Sequence, residues 1–186
     1  MTIISNNCLG AYTYKMLGLE YTSPFIWSQT FLSDILKIVQ DLSQLDFQNI
    51  RLTDANNEYI PDHRSKGSYA VQLENGAKSY FIHYKDKQDT EDKWRRRSNR
   101  IDKNDIVIYL MSSRPKIDTE SLLGAIRDEC LVRGYKFIYV NTNPNIKSIG
   151  QDFSNFVDFN DSICPFKLAQ MALPYFLSEL STKSIK

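Results

Sequence analysis

Cysteine is scarce in this chain, with Cys8, Cys130 and Cys164 among 186 residues and no CxxC pair between them. An odd count at these spacings excludes a disulfide framework and the common structural zinc sites. Cys130 and Cys164 lie in apolar, helix-like contexts, where a free thiol packs as a small hydrophobe. Histidine is scarcer, so a histidine-dependent mechanism must use His83 or His63.

Net charge is nearly absent as well: 23 Lys and Arg face 22 Asp and Glu, leaving +1. No global field therefore favours nucleic acid, and any anion affinity is local. Apolar runs of bilayer-spanning length are missing, and Met1-Thr2-Ile3-Ile4-Ser5 lacks the features of a secretory signal, so the expectation is a cytoplasmic protein with no transmembrane segment. GxGxxG, GxxxxGK[ST], HExxH and GxSxG are absent, which removes the usual warrant for dinucleotide, P-loop, zincin and α/β-hydrolase readings. Seven Gly and six Pro are too few for a collagenous or disordered chain.

What is present is the periodicity of one α/β domain spanning residues 1–186, long enough to bury a sizeable core. Thr2 to Ser5 reads as a strand, followed by an Asn6-Asn7 break and a helix from Gly10 to Leu17 that Gly18 can terminate. Leu32, Ile35, Leu36, Ile38, Val39, Leu42 and Leu45 recur at three- and four-residue steps, which predicts an amphipathic helix. Asn49 to Leu52 is a short strand candidate, and Thr53 to Ser68 reads as a polar loop. The Asn75-Gly76 dipeptide between Tyr69–Leu73 and Ser79–Tyr84 predicts a β-hairpin. Asp89 to Arg100 reads as a charged helix that Asp89 or Thr90 caps. Asp105–Met111 and Tyr135–Val140 have the apolar centres of strands covered on both faces, with a helix from Ile117 to Val132 between them. Asn155 to Phe159 suggests an edge strand, and a last helix runs from about Pro165 to Leu180 through Pro174. These elements predict a three-layer α/β domain with a mainly parallel central sheet and a β-hairpin insertion.

Four places carry candidate chemistry. The Ser5-Asn6-Asn7-Cys8 turn follows a strand end, where open α/β sheets bind ligands, and a helix N-terminus can lower a thiol's pKa and make Cys8 a nucleophile. Equally, an Asn there can cap the helix while Cys8 packs inward. His83, at the end of the hairpin arm, suits a general base or a hydrogen-bonded structural role. Trp94-Arg95-Arg96-Arg97-Ser98-Asn99-Arg100 places Arg96, Arg97 and Arg100 where they can hold phosphate or carboxylate, with Arg95 pointing elsewhere. The alternative is a solvated face paired at i,i+4, as Asp92 and Arg96 would be. The loop Tyr21-Thr22-Ser23-Pro24-Phe25-Ile26-Trp27 offers aromatics that can stack on a sugar or cover the core.

Taken together, Ser5-Asn6-Asn7-Cys8, Leu17 to Phe25, His83-Tyr84 and Trp94 to Ile101 resemble the SNNC, LGL.Y.SPF, HY and W.RR..RI motifs of a poorly characterised bacterial exopolysaccharide-biosynthesis family of unknown function. The motifs occur in order over about the first hundred positions. The chain departs from the pattern at Leu9-Gly10-Ala11, where the family has an aromatic and two glycines, and at Met111-Ser112-Ser113-Arg114, which lacks the family's acidic residue. A carboxylate orienting His83 would then come from Asp86, Asp105 or elsewhere.

The resemblance implies an enzyme of cell-surface polysaccharide assembly (capsule, exopolysaccharide or O-antigen), acting in the cytoplasm or at the periphery of the inner membrane beside other assembly enzymes. The expected activity is acyl transfer to a sugar or nucleotide-sugar, with acetyl-coenzyme A as candidate donor, Cys8 and His83 as catalytic residues and no metal. Ser5, Asn6, Asn7, Tyr21, Ser23, Trp27, Trp94, Arg96, Arg97 and Arg100 are the expected substrate contacts. A glycosyltransferase, a sugar-phosphate transferase and a non-catalytic glycan- or nucleotide-binding accessory protein are the alternatives.

Overall fold

A computed structural model describes residues 1–55, 69–81, 83–111, 120–142, 151–152 and 165–182. Strands β1 (Thr2–Ser5), β5 (Ile106–Met111), β6 (Lys136–Asn141) and β7 (Gln151–Asp152) form one parallel sheet in the order β1-β5-β6-β7. Strands β2 (Ile50–Asp54), β3 (Tyr69–Leu73) and β4 (Lys78–Phe81) form a separate antiparallel sheet.

Residue alternation makes the parallel sheet the middle of three layers. Successive side chains of a strand point to opposite faces. Ile3, Val107, Tyr109, Ile138 and Val140 accordingly pack with Leu9 and Tyr14 of α1 (Leu9–Met16) and with Leu168, Ala169, Ala172 and Phe176 of α5 (Pro165–Ser181). Their neighbours Ile4, Ile106, Ile108, Leu110 and Tyr139 pack with Ile35, Ile38 and Val39 of α2 (Leu32–Asp41) and with Leu123, Ile126 and Cys130 of α4 (Glu120–Arg133). Every residue of β5 is buried, as a strand covered on both faces requires. Cys130 behaves as the small hydrophobe expected, and burial pushes its thiol up to about 12.

The antiparallel sheet contributes Val71, Leu73 and Phe81 to the second cluster, where they meet Trp94 of α3 (Lys87–Ser98). Its hairpin turns at Asn75-Gly76, with Gly76 at φ +79 and the Ala77 amide donating to Asn75 Oδ1 at 3.1 Å. The second arm is shorter than predicted: β4 ends at Phe81, so His83 lies beyond the ladder. α3 starts earlier than predicted because Asp86, in an extended conformation, accepts from the Asp89 amide at 2.8 Å, while Asp89 Oδ2 accepts from the Lys85 amide. Asp89 is thus the third helical residue of a capping pair, not the cap itself. α1 closes as read, with Gly18 at φ +63 and the Leu19 amide reaching the Tyr14 carbonyl. His63, Cys164, the Ser112-Ser113-Arg114 loop, the start expected for α4 and the strand expected at Asn155–Phe159 lie outside the described residues. Among the described residues, no helix is long and apolar enough to cross a membrane.

Candidate functional site

The turn after β1 is held together by its own polar side chains. Asn6 is fully buried; its Nδ2 donates to the Met111 carbonyl at 2.8 Å and its Oδ1 accepts from the Met111 amide at 3.1 Å. That two-point contact continues the β1–β5 pairing one residue past the strand with a side chain in place of backbone. Asn7 Oδ1 accepts from the Leu9 amide at 2.9 Å, and Ser5 Oγ donates to the Asn7 carbonyl while accepting from the Gly10 amide. Gly10 is obligatory for this close packing: a Cβ there would stand 2.9 Å from Ser5 Cβ and 3.3 Å from Ile3 Cγ2. Ser5, Asn6 and Asn7 therefore shape the turn from within.

Cys8 takes the N-cap position of α1 without a side-chain capping bond. The expected lowering of its pKa does not occur, because burial pushes the thiol from its ordinary 9.0 up to about 11. Desolvation disfavours the thiolate.

Two clefts flank α3. The first, of about 440 Å³, is lined by Tyr12, Trp27, His83, Tyr84, Lys93 and Arg97. Trp27 stands edge-on to Tyr12, with ring centroids 4.9 Å apart, and to His83, 6.4 Å apart. Its backbone is left-handed, at φ +62, a conformation rare for a bulky residue and costly to hold. The carbonyl just before it is fixed: Ile26 O accepts from Tyr84 Oη at 2.6 Å and from Arg97 Nη1 at 3.4 Å. Tyr84 Oη also accepts from Arg97; burial raises the phenol's pKa, and the neighbouring guanidinium offsets part of that rise. Lys93, one turn before Arg97 on α3, lies 4.8 Å above the Tyr84 ring and pairs with Asp89 at 2.7 Å.

Arg97 is only 6% exposed. Its guanidinium sits over the rings of Tyr21 and Tyr84, at 5.4 and 5.9 Å, and among the described residues no carboxylate lies within ion-pair distance. Arg97 also lines the second cleft, about 520 Å³, with Lys15, Glu20, Tyr21, Arg96 and Arg100. Arg95 points away from both, pairing with Glu91 at 2.8 Å and donating to the Gln48 carbonyl. Asp92 accepts from Gln88 rather than pairing with Arg96.

The structure thus gathers Trp27, His83 and Arg97 on one cleft, and Tyr21, Arg96, Arg97 and Arg100 on the next. Residues 1–151 match the family model described as a domain of unknown function, DUF1919. The chain belongs to that family. It is also 25% identical over 122 residues to an uncharacterized protein of Haemophilus influenzae, an alignment covering 66% of this chain and 54% of the relative. The chain therefore spans about half the length of the curated relative it matches.

Other expected contacts of this DUF1919 member are placed elsewhere. Trp94 is a core residue, 1% exposed, stacking edge-on against Phe25 and Phe81 and donating Nε1 to the Phe47 carbonyl at 2.7 Å. Ser23 is buried and accepts from the Phe25 amide, holding the aromatic loop. Cys8 is not among the side chains lining the first cleft, although its charge would reach Tyr84. Of the carboxylates proposed for His83, Asp86 caps α3, and Asp105 precedes β5 and pairs with the Met1 amine at 3.0 Å. Asp105 stands six residues before Met111, roughly 20 Å along the strand from the Asn6 turn.

Tyr12, Tyr84 and Lys93 were missed as cleft residues. The i,i+4 spacing of Lys93 and Arg97 was a usable signal. Tyr12 depends on where α1 docks, which no local pattern encodes.

Proposed function

We propose that the first cleft binds an anionic sugar, such as the phosphorylated precursor of a cell-surface polysaccharide, and that the protein transfers an acyl group to one of its hydroxyls. The observation that carries this reading is Arg97: a buried guanidinium with aromatic neighbours and no carboxylate partner among the described residues. A buried cation without an anion is costly, and a ligand phosphate or carboxylate repays that cost with a bidentate contact. Trp27 and Tyr12, set nearly perpendicular, each offer an aromatic surface to the cleft, and a sugar ring stacks on such a face.

The raised Cys8 pKa favours direct transfer over a covalent thioester on the protein. His83, exposed at the cleft, takes the proton of the sugar hydroxyl. The hydroxyl oxygen bonds to the carbonyl carbon of a thioester donor such as acetyl-coenzyme A, the carbon–sulfur bond breaks, and the donor leaves as its thiol after taking up the proton. Release of free coenzyme A thiol from acetyl-coenzyme A in the presence of sugar phosphates tests the reaction. His83→Ala should abolish release with little change in melting temperature, and Cys8→Ala should retain most of it. Sugar-phosphate binding without thiol release would instead support an accessory binding protein.

A further inference from the structure

The second cleft is built for more negative charge than one phosphate carries. Among the described residues, Lys15, Arg96, Arg97 and Arg100 share the cleft with a single carboxylate, Glu20. Arg96 belongs to the last turn of α3 and Arg100 to the turn just past its C-cap Asn99, so two separately placed guanidiniums are available for two phosphoryl groups. Tyr21 forms the apolar side of the cleft, and Arg97 stacks on its ring at 5.4 Å. Glu20 Oε1 lies 2.6 Å from Arg100 Nη1, with Glu20 68% and Arg100 36% exposed. An ion pair so open to water holds weakly, so an incoming anion can displace the carboxylate at little cost.

We propose that this cleft is a pyrophosphate subsite, and that Glu20 stands in for one phosphoryl group until a diphosphate-bearing ligand displaces it. The inference rests on the reading of Arg97 as an anion anchor and deepens it. Because Arg97 lines both clefts, a ligand's diphosphate and the anionic sugar meet at one guanidinium. Coenzyme A and nucleoside diphosphates both carry such a diphosphate.

Titration calorimetry on the full chain tests the subsite, with inorganic pyrophosphate and glucose 1-phosphate as separate probes. Glu20→Gln removes the internal competitor, so pyrophosphate should bind about two- to fivefold more tightly. Arg100→Ala should weaken pyrophosphate roughly tenfold. Glucose 1-phosphate affinity should be unchanged in both variants. Glu20→Gln is a gain-of-affinity test, so a folding defect cannot produce the expected result. Pyrophosphate affinity that is unchanged or weaker in Glu20→Gln overturns the proposal. Failure of the unmodified protein to bind glucose 1-phosphate would instead count against the first-cleft reading. Displacement of pyrophosphate by coenzyme A assigns the subsite to an acyl donor, displacement by UDP assigns it to a nucleotide sugar, and displacement by neither overturns it.

Discussion

The Ser5 to Asn7 turn and the Arg97 corner both bury polar groups, and they differ in what satisfies them. At the turn, each of the three side chains is spent on neighbouring backbone: Asn6 on Met111, Asn7 on Leu9, Ser5 on Asn7 and Gly10. At the corner, a full positive charge is buried against two tyrosines and a backbone carbonyl, with no carboxylate beside it among the described residues. A polar group that has completed its hydrogen bonds specifies a fold; the buried charge without a counter-charge is, under the proposed function, a ligand anchor.

Breaking the turn should produce the largest effect. Asn6→Ala leaves the Met111 amide and carbonyl unpaired in a dry place and should cost roughly 2–4 kcal/mol, read by denaturant unfolding. Gly10→Ala should follow at roughly 1–3 kcal/mol, because its Cβ would press on Ser5 and Ile3. Both losses should be equal with and without glucose 1-phosphate once its binding free energy is allowed for.

The cleft should respond in the opposite sense. Trp27→Gly relieves a left-handed backbone while deleting the wall of the cleft, so stability should move by no more than about 1 kcal/mol. Glucose 1-phosphate affinity should fall roughly tenfold, as expected for one lost aromatic contact. A large stability loss with intact affinity would place Trp27 with the turn residues instead.

The smallest effect concerns Cys8. Its thiol is raised, so it stays protonated in the folded chain after the unfolded chain's thiol has ionised near 9.0. The folded state holds the extra proton, and stability therefore falls as pH rises from about 9 to about 11. Alkylation by iodoacetamide, followed by mass spectrometry, should stay slow at pH 8 and accelerate toward pH 11. Rapid modification at pH 7 would restore Cys8 as a thiolate nucleophile.

The layers and most helices were legible in the sequence, because the unbroken apolar centres of β5 and β6 and the three- and four-residue steps of α2 follow directly from which faces are buried. The site was legible in part. Arg96, Arg97 and Arg100 were readable as one cluster from helical spacing, and Arg95 as its outlier. Local pattern could not separate Trp94, whose indole fills the core between Phe25 and Phe81, from Trp27, whose ring walls a cleft. Both are tryptophans beside polar residues, and only the docking of α3 against the hairpin sheet tells them apart. Nor could spacing show that the Asn6 amide would be consumed by Met111, a partner 105 residues away.

The distinction between the two regions is tested most directly at Arg97 itself, by measuring unfolding free energy and glucose 1-phosphate affinity for Arg97→Met. Methionine fills similar volume without a charge; it gives up the Arg97 bonds to the Ile26 carbonyl and Tyr84 Oη and removes the cost of holding a cation away from water, two effects of opposite sign. The expected result is stability within about 1 kcal/mol of the parent chain and affinity lowered at least roughly tenfold. A loss of stability comparable to that of Asn6→Ala, with glucose 1-phosphate binding unchanged, would contradict the account.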